Sequence, residues 1–179
     1  MSPMCGAAYK GEDRSAQAPF RALEGLLDDL GAVLMGMTPA VYAARPVVGV
    51  SGSVGEHVRH ALDHIAALLS CGSSVTLSYD GRERGTAAET DPSIALRHIL
   101  RLKAALAQCS ARSLDEPMQI VSMVSPSGES ITGWSTLARE LAFVVSHTIH
   151  HHAMIALLLS FQGFEAPERF GYAPSTPRA

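Results

Sequence analysis

"SVGEHVRHALDHIAALLS" occupies residues 53–70, and its first four residues mark where a helix begins. Ser53 precedes Glu56 by three positions, the spacing of a capping box, in which each side chain takes up a backbone N–H that a helix start leaves without a partner. The spacing predicts a helix to about Leu69, stopping at Cys71-Gly72, where glycine suits a left-handed cap. His57, His60 and His64 fall within about 60° of one another around that helix.

Upstream, "FRALEGLLDDLGAVLMGM" (20–37) repeats Phe20, Leu23, Leu26, Leu27, Leu30, Val33 and Leu34 at intervals of three and four, one apolar stripe. Gly25 and Gly31 weaken it and Pro39 ends or interrupts it. Downstream, 73–90 reads as a loop with a turn at Asp80-Gly81. Asp91-Pro92 then pairs an N-cap with proline in the first helical position, opening "PSIALRHILRLKAALAQC" (92–109).

"MQIVSMV" and "ESITGW", flanking "SPSG" at 125–128, predict a short β-hairpin. Ser135 is the expected cap of a last helix running from Thr136 to about Phe161 and ending at Gln162-Gly163. Four helices of four to seven turns without strand–helix alternation make an all-α four-helix bundle over 17–163. Residues 1–16 are expected to be a flexible end and 164–179 an extended tail.

The chain has 179 residues, 47% of them apolar and 17% charged, enough for a single core. Its net charge of −3 comes without any Lys/Arg block, so nucleic acid is not an expected partner, and neither is a membrane surface. Leu141–Phe161 has the length of a membrane span, but four histidines near its middle argue against that reading. Three cysteines far apart exclude a disulfide framework or a Cys-based zinc ribbon, and no signal peptide opens the sequence, so a reducing cytoplasm is expected. Cys71 and Cys109 read as buried small apolar residues and Trp134 as a packing anchor beside the last helix.

Seven of the eight histidines fall in the second and last long helices, and only His98 lies outside. On the last helix, in "SHTIHHHAMI" (146–155), His147 and His151 are about 40° apart, with His150 about 60° and His152 about 140° from His147. Imidazoles at i and i+4 chelate, because both rings can aim at one point, and a third from a facing helix completes a three-nitrogen site with positions left open. His60 lies nearest the middle of its edge, while His57, His64 and His150 remain alternative ligands and His152 is the least suited. Glu56, Asp63 and Glu140 are placed to orient the rings. A hydrogen-bond network of structural value and a protonation switch are the competing readings.

The order of these helices, with "SVGEHVRHALDHI" in the second and "ELAFVVSHTIHHHAMI" in the last, resembles the DinB-like superfamily of metal-binding four-helix proteins, in an uncharacterised bacterial subgroup. The resemblance implies a divalent metal, zinc or nickel, on His60, His147 and His151, and a homodimer. It also implies chemistry on a small-molecule substrate, with transfer of a low-molecular-weight thiol ahead of hydrolysis; a non-catalytic metal or pH sensor is the alternative. Many members continue the last motif as HHRGQ, whereas this chain has "HHHAMI". Arg82 and Arg84 are candidate contacts for an anionic substrate.

Overall fold

The computed structural model describes residues 16–45, 49, 51–72, 76–81 and 84–177. The N-terminal segment read as a flexible end lies outside them, except for Ala16. Helix α1 spans Ala18–Leu34 and buries Phe20, Leu23, Leu27, Leu30 and Leu34, the stripe of the three-and-four spacing. Pro39 both closes that segment and opens a short α2, Pro39–Ala43, whose N-cap Thr38 accepts a hydrogen bond from the Val41 N–H. Helix α3 spans Val54–Ser70 and carries the full capping box: the Ser53 hydroxyl accepts from the Glu56 N–H, and the Glu56 carboxylate accepts from the Ser53 N–H at 2.7 Å. Helix α4, Pro92–Cys109, starts on Asp91, which accepts from the Ser93 N–H.

Helix α5 spans Leu137–Phe161 and is long and apolar enough to cross a membrane by length and composition. Here it is a core helix, packed on α1 and on α3, while α4 closes the ring against the same two. Leu141, Val144, Ile155 and Leu158 of α5 join Leu23, Leu27, Leu62 and Ile65 in one buried hydrophobic core. Each such side chain contributes about 1.5–3 kcal/mol by leaving water. The four-helix bundle read from the sequence is the fold found.

The hairpin is also present: β2 (Pro117–Met123) pairs antiparallel with β3 (Ser130–Thr136), with Ile120 opposite Gly133. A third strand was not expected. β1, Leu77–Ser78, runs parallel to β2 inside the segment read as loop, and a single-turn 3-10 helix, Ala87–Glu89, follows it. Two residues of strand leave no periodic trace, and their pairing is set by distant contacts such as Thr76 donating to Gln119 at 2.8 Å. Trp134, read as a packing anchor, is 75% exposed, because β3 is the outer strand of a hairpin that stands off the bundle. The cap of α5 is Thr136, not Ser135, whose hydroxyl instead donates to Glu140 at 2.6 Å.

After Gly163 the described tail passes through turns, and its Phe170 is buried against His152 with rings stacked 4.3 Å apart at 12°. Gly171, at φ +81°, lies so close to α5 that a Cβ there would come 2.4 Å from the Ala153 nitrogen. His152 is wholly buried, and neither ring nitrogen has a hydrogen-bond partner among the described residues. Burial pushes its pKa down to about 4, so it packs as a neutral aromatic. Cys71 and Cys109 are buried thiols that form no disulfide among the described residues.

Candidate metal centre

Helices α3 and α5 lie side by side and antiparallel, so one helical edge of imidazoles faces the other. His57 meets His151, His60 meets both His147 and His151, and His64 meets His147. The Nε2 atom of His147 is the focus: it lies 3.1 Å from His60 Nε2 and 3.2 Å from His151 Nε2. A second triad shares two of these rings, since His64 also brings a ring nitrogen within 4.8 Å of those of His60 and His147.

Those separations test whether the donors fit a metal. An ion about 2.05 Å from each nitrogen sets them about 3.3 Å apart at tetrahedral angles and about 2.9 Å apart at right angles. Both observed distances fall between these values, so His147 Nε2 is placed to share a divalent ion with His60 or with His151, while the three rings whose nitrogens all lie within 4.8 Å of one another are His60, His64 and His147. Protons alone serve the arrangement poorly, because one N–H on His147 Nε2 can satisfy only one of its two neighbours.

Two of the rings, His151 and His57, are held toward the neutral form, the one that binds metal. His151 has its pKa pushed down to about 2, first by burial and then by the neighbouring His147, His60, His57 and His150. Burial is the main cause for His57 as well, lowering its pKa against the opposing pull of the Ser51 carbonyl and Glu56. The Nδ1–H of His64 donates to the His60 carbonyl at 3.0 Å, which leaves the lone pair of the neutral ring on Nε2. His150 stands beside the cluster on the exposed side, 5.2 Å from His151 and 6.4 Å from His147 between ring centroids.

The three carboxylates take different places. Glu56 is held by the capping box and by an ion pair with Arg45, at the rim of the site. Asp63 pairs with Arg59 at 2.8 Å and faces a neighbouring cavity of about 580 Å³. Glu140, wholly buried, accepts from Ser135, from Arg139 and from the Tyr79 hydroxyl at 3.0 Å. Tyr79 in turn stacks on His64, 5.1 Å away and 6° from parallel, so Glu140 reaches the imidazoles through an aromatic ring. Burial and the Glu140 charge both raise the Tyr79 pKa, which keeps that hydroxyl a donor.

Tyr79 and Phe143, which wall the cluster at the His64 end, carried no sequence signal beyond being aromatic. Tyr79 arrives through β1, the element that periodicity missed. At the opposite end a cavity of about 290 Å³ opens between His57, His60 and His151, with Ser51, Arg59 and Arg84 around it. Arg59 is neutralised by Asp63 and Glu89, whereas Arg84 is exposed and makes no ion pair among the described residues. Arg82 lies outside the described residues.

No family model matches the chain. It is 32% identical over 115 residues to FK506-binding protein 5 of Rhizopus delemar, a stretch that is 63% of this chain. The chain spans only 30% of the length of that protein. Among solved structures it is similar to YfiT from Bacillus subtilis, described as a probable metal-dependent hydrolase with an unusual four-helix bundle topology. The two superpose with a TM-score of 0.59 over 90% of this chain and 95% of that one, at 18% identity, a likeness of fold.

Proposed function

We propose that this chain is a metal-dependent enzyme of the DinB-like superfamily that holds one divalent ion, zinc or nickel, on His60, His147 and His151 and hydrolyses a small anionic substrate. The observation that carries this reading is the convergence of three Nε2 atoms, two of them at 3.1 and 3.2 Å from the third. Such an ion supplies Lewis-acid chemistry and lowers the pKa of a bound water or thiol. The remaining work falls to the chain. Imidazole donors bring no charge of their own, so the ion keeps its full charge, and Arg84, which makes no ion pair among the described residues, adds a cation at the mouth, so the cavity favours carboxylate or phosphate groups.

Hydrolysis is put ahead of thiol transfer because the last motif reads HHHAMI where many DinB-like members have HHRGQ, and because YfiT, of the same fold, is described as a probable metal-dependent hydrolase. The test is a panel of small carboxylate- and phosphate-bearing esters and amides, offered to tag-free protein loaded with zinc or nickel. Turnover is expected only with metal-loaded protein, and loaded Arg84→Ala is expected to show a raised KM with kcat little changed. Conjugation of a low-molecular-weight thiol to an electrophile, with no hydrolysis across the panel, would move the assignment to thiol transfer.

A further inference from the structure

The hydrogen-bond directions around His57 follow from one fixed point. His57 Nε2 lies 3.0 Å from the Ser51 carbonyl oxygen, which can only accept, so that nitrogen carries the hydrogen. The neutral ring then has its lone pair on Nδ1. That atom lies 3.0 Å from His151 Nδ1, so the hydrogen between them belongs to His151. His151 is thereby left with its lone pair on Nε2, the atom 3.2 Å from His147 Nε2.

From this we infer that His57 is the positioning residue of the metal site: it fixes the tautomer and tilt of His151 and is not itself a ligand. The inference rests on the metal reading above. A ligating histidine commonly gives its second N–H to a carboxylate or a backbone carbonyl. In this chain the carbonyl is reached through a second imidazole, in a relay from Ser51 through His57 to His151.

The anchor of the relay is rigid for local reasons. Ser51 and Gly52 form the turn into α3, and Gly52 sits at φ +90°, a left-handed conformation suited to glycine. A Cβ on Gly52 would stand 3.2 Å from Glu56 Oε2 and 3.6 Å from His57 Nε2, so the turn is packed onto the first turn of the helix. The capping box holds the other side of that turn through Ser53 and Glu56. The Ser51 carbonyl and the His57 ring are therefore set by the same helix start.

Two substitutions separate positioning from ligation. His57→Phe keeps the ring but removes both polar contacts, whereas His57→Gln can accept from His151 and donate to Ser51. Zinc affinity is measured by competition with a chromophoric chelator, the visible spectrum of the cobalt form reports the ligand set, and nitrogen NMR of the metal-free protein reports the His151 tautomer. His57→Phe is expected to lose about 10- to 100-fold in zinc affinity with its helix content and cobalt band shape retained, and His57→Gln to recover most of that loss. Metal-free wild type is expected to show His151 protonated on Nδ1.

Unchanged zinc affinity in His57→Phe overturns the inference. So does a cobalt spectrum altered in both variants as it is in His151→Ala, which would make His57 a ligand. A wild type that takes up no metal defeats the proposed function instead, and the tautomer then decides: His151 protonated on Nε2 ends the relay as well.

Discussion

Gly55→Ala is a substitution for which helix propensity and packing give opposite signs. Gly55 lies in the first turn of α3, and replacing an interior helical glycine by alanine ordinarily stabilises by up to about 1 kcal/mol. A Cβ at this position would stand 2.0 Å from the Glu89 carbonyl oxygen and 2.7 Å from Tyr42 Cε1. Glu89 cannot simply retreat. Its side chain accepts from Arg59 at 2.9 Å, and the adjacent Ala88 carbonyl accepts the buried Tyr42 hydroxyl at 2.8 Å. Overpacking costs about 1–3 kcal/mol and a lost hydrogen bond about 1 kcal/mol more, so after the propensity gain the net expectation is a loss of about 1–3 kcal/mol. For a chain of this size that lowers Tm by about 2–12 °C. Gly25→Ala and Gly31→Ala in α1, where a Cβ meets nothing within 4 Å, serve as controls and are expected to gain about 0.5–1 kcal/mol each. Urea unfolding followed by circular dichroism measures all three. A Gly55→Ala protein as stable as wild type would refute the packing argument.

His152 makes acid stability a second test. It stays neutral in the fold down to about pH 4, while in the unfolded chain it takes a proton near its ordinary 6.5. Its contribution is therefore complete above pH 6.5 and is lost as pH falls from there toward 4, by about 3 kcal/mol over that span. Urea unfolding of metal-free protein across that range should show a shallower fall in His152→Phe than in wild type; parallel curves would contradict the buried neutral ring. Phe170→Ala removes the ring stacked on His152 and should cost about 3 kcal/mol and expose the tail to limited proteolysis, whereas a tail as resistant as wild type would count against its docking.

The bundle was legible because its signals are local. Ser53 and Glu56 announce α3 through contacts three residues apart, and the stripe from Phe20 to Leu34 repeats at the helical period. The imidazole cluster was legible for the same reason: His147 and His151 are four apart on one helix, and His60 is central on the other. What the sequence did not show depends on chain segments meeting across the fold. β1 exists because β2 is beside it, and it brings Tyr79 onto His64. Glu140 reads as placed to orient the rings, but it is buried under Tyr79, Ser135 and Arg139 and meets the imidazoles only through Tyr79. Trp134 misled because a large aromatic beside a helix ordinarily packs, and only the outward stance of the hairpin exposes it. The distinct part of His57 could not be read from angles around a helix, since it depends on the carbonyl of Ser51 in the preceding turn.

Metal analysis of tag-free protein, loaded with zinc or nickel and then desalted, tests the central claim most directly. Wild type should retain about one ion per chain, and His60→Ala, His147→Ala and His151→Ala should each lose it while keeping their helix content. Wild type emerging without metal, or His147→Ala retaining as much as wild type, would contradict the account.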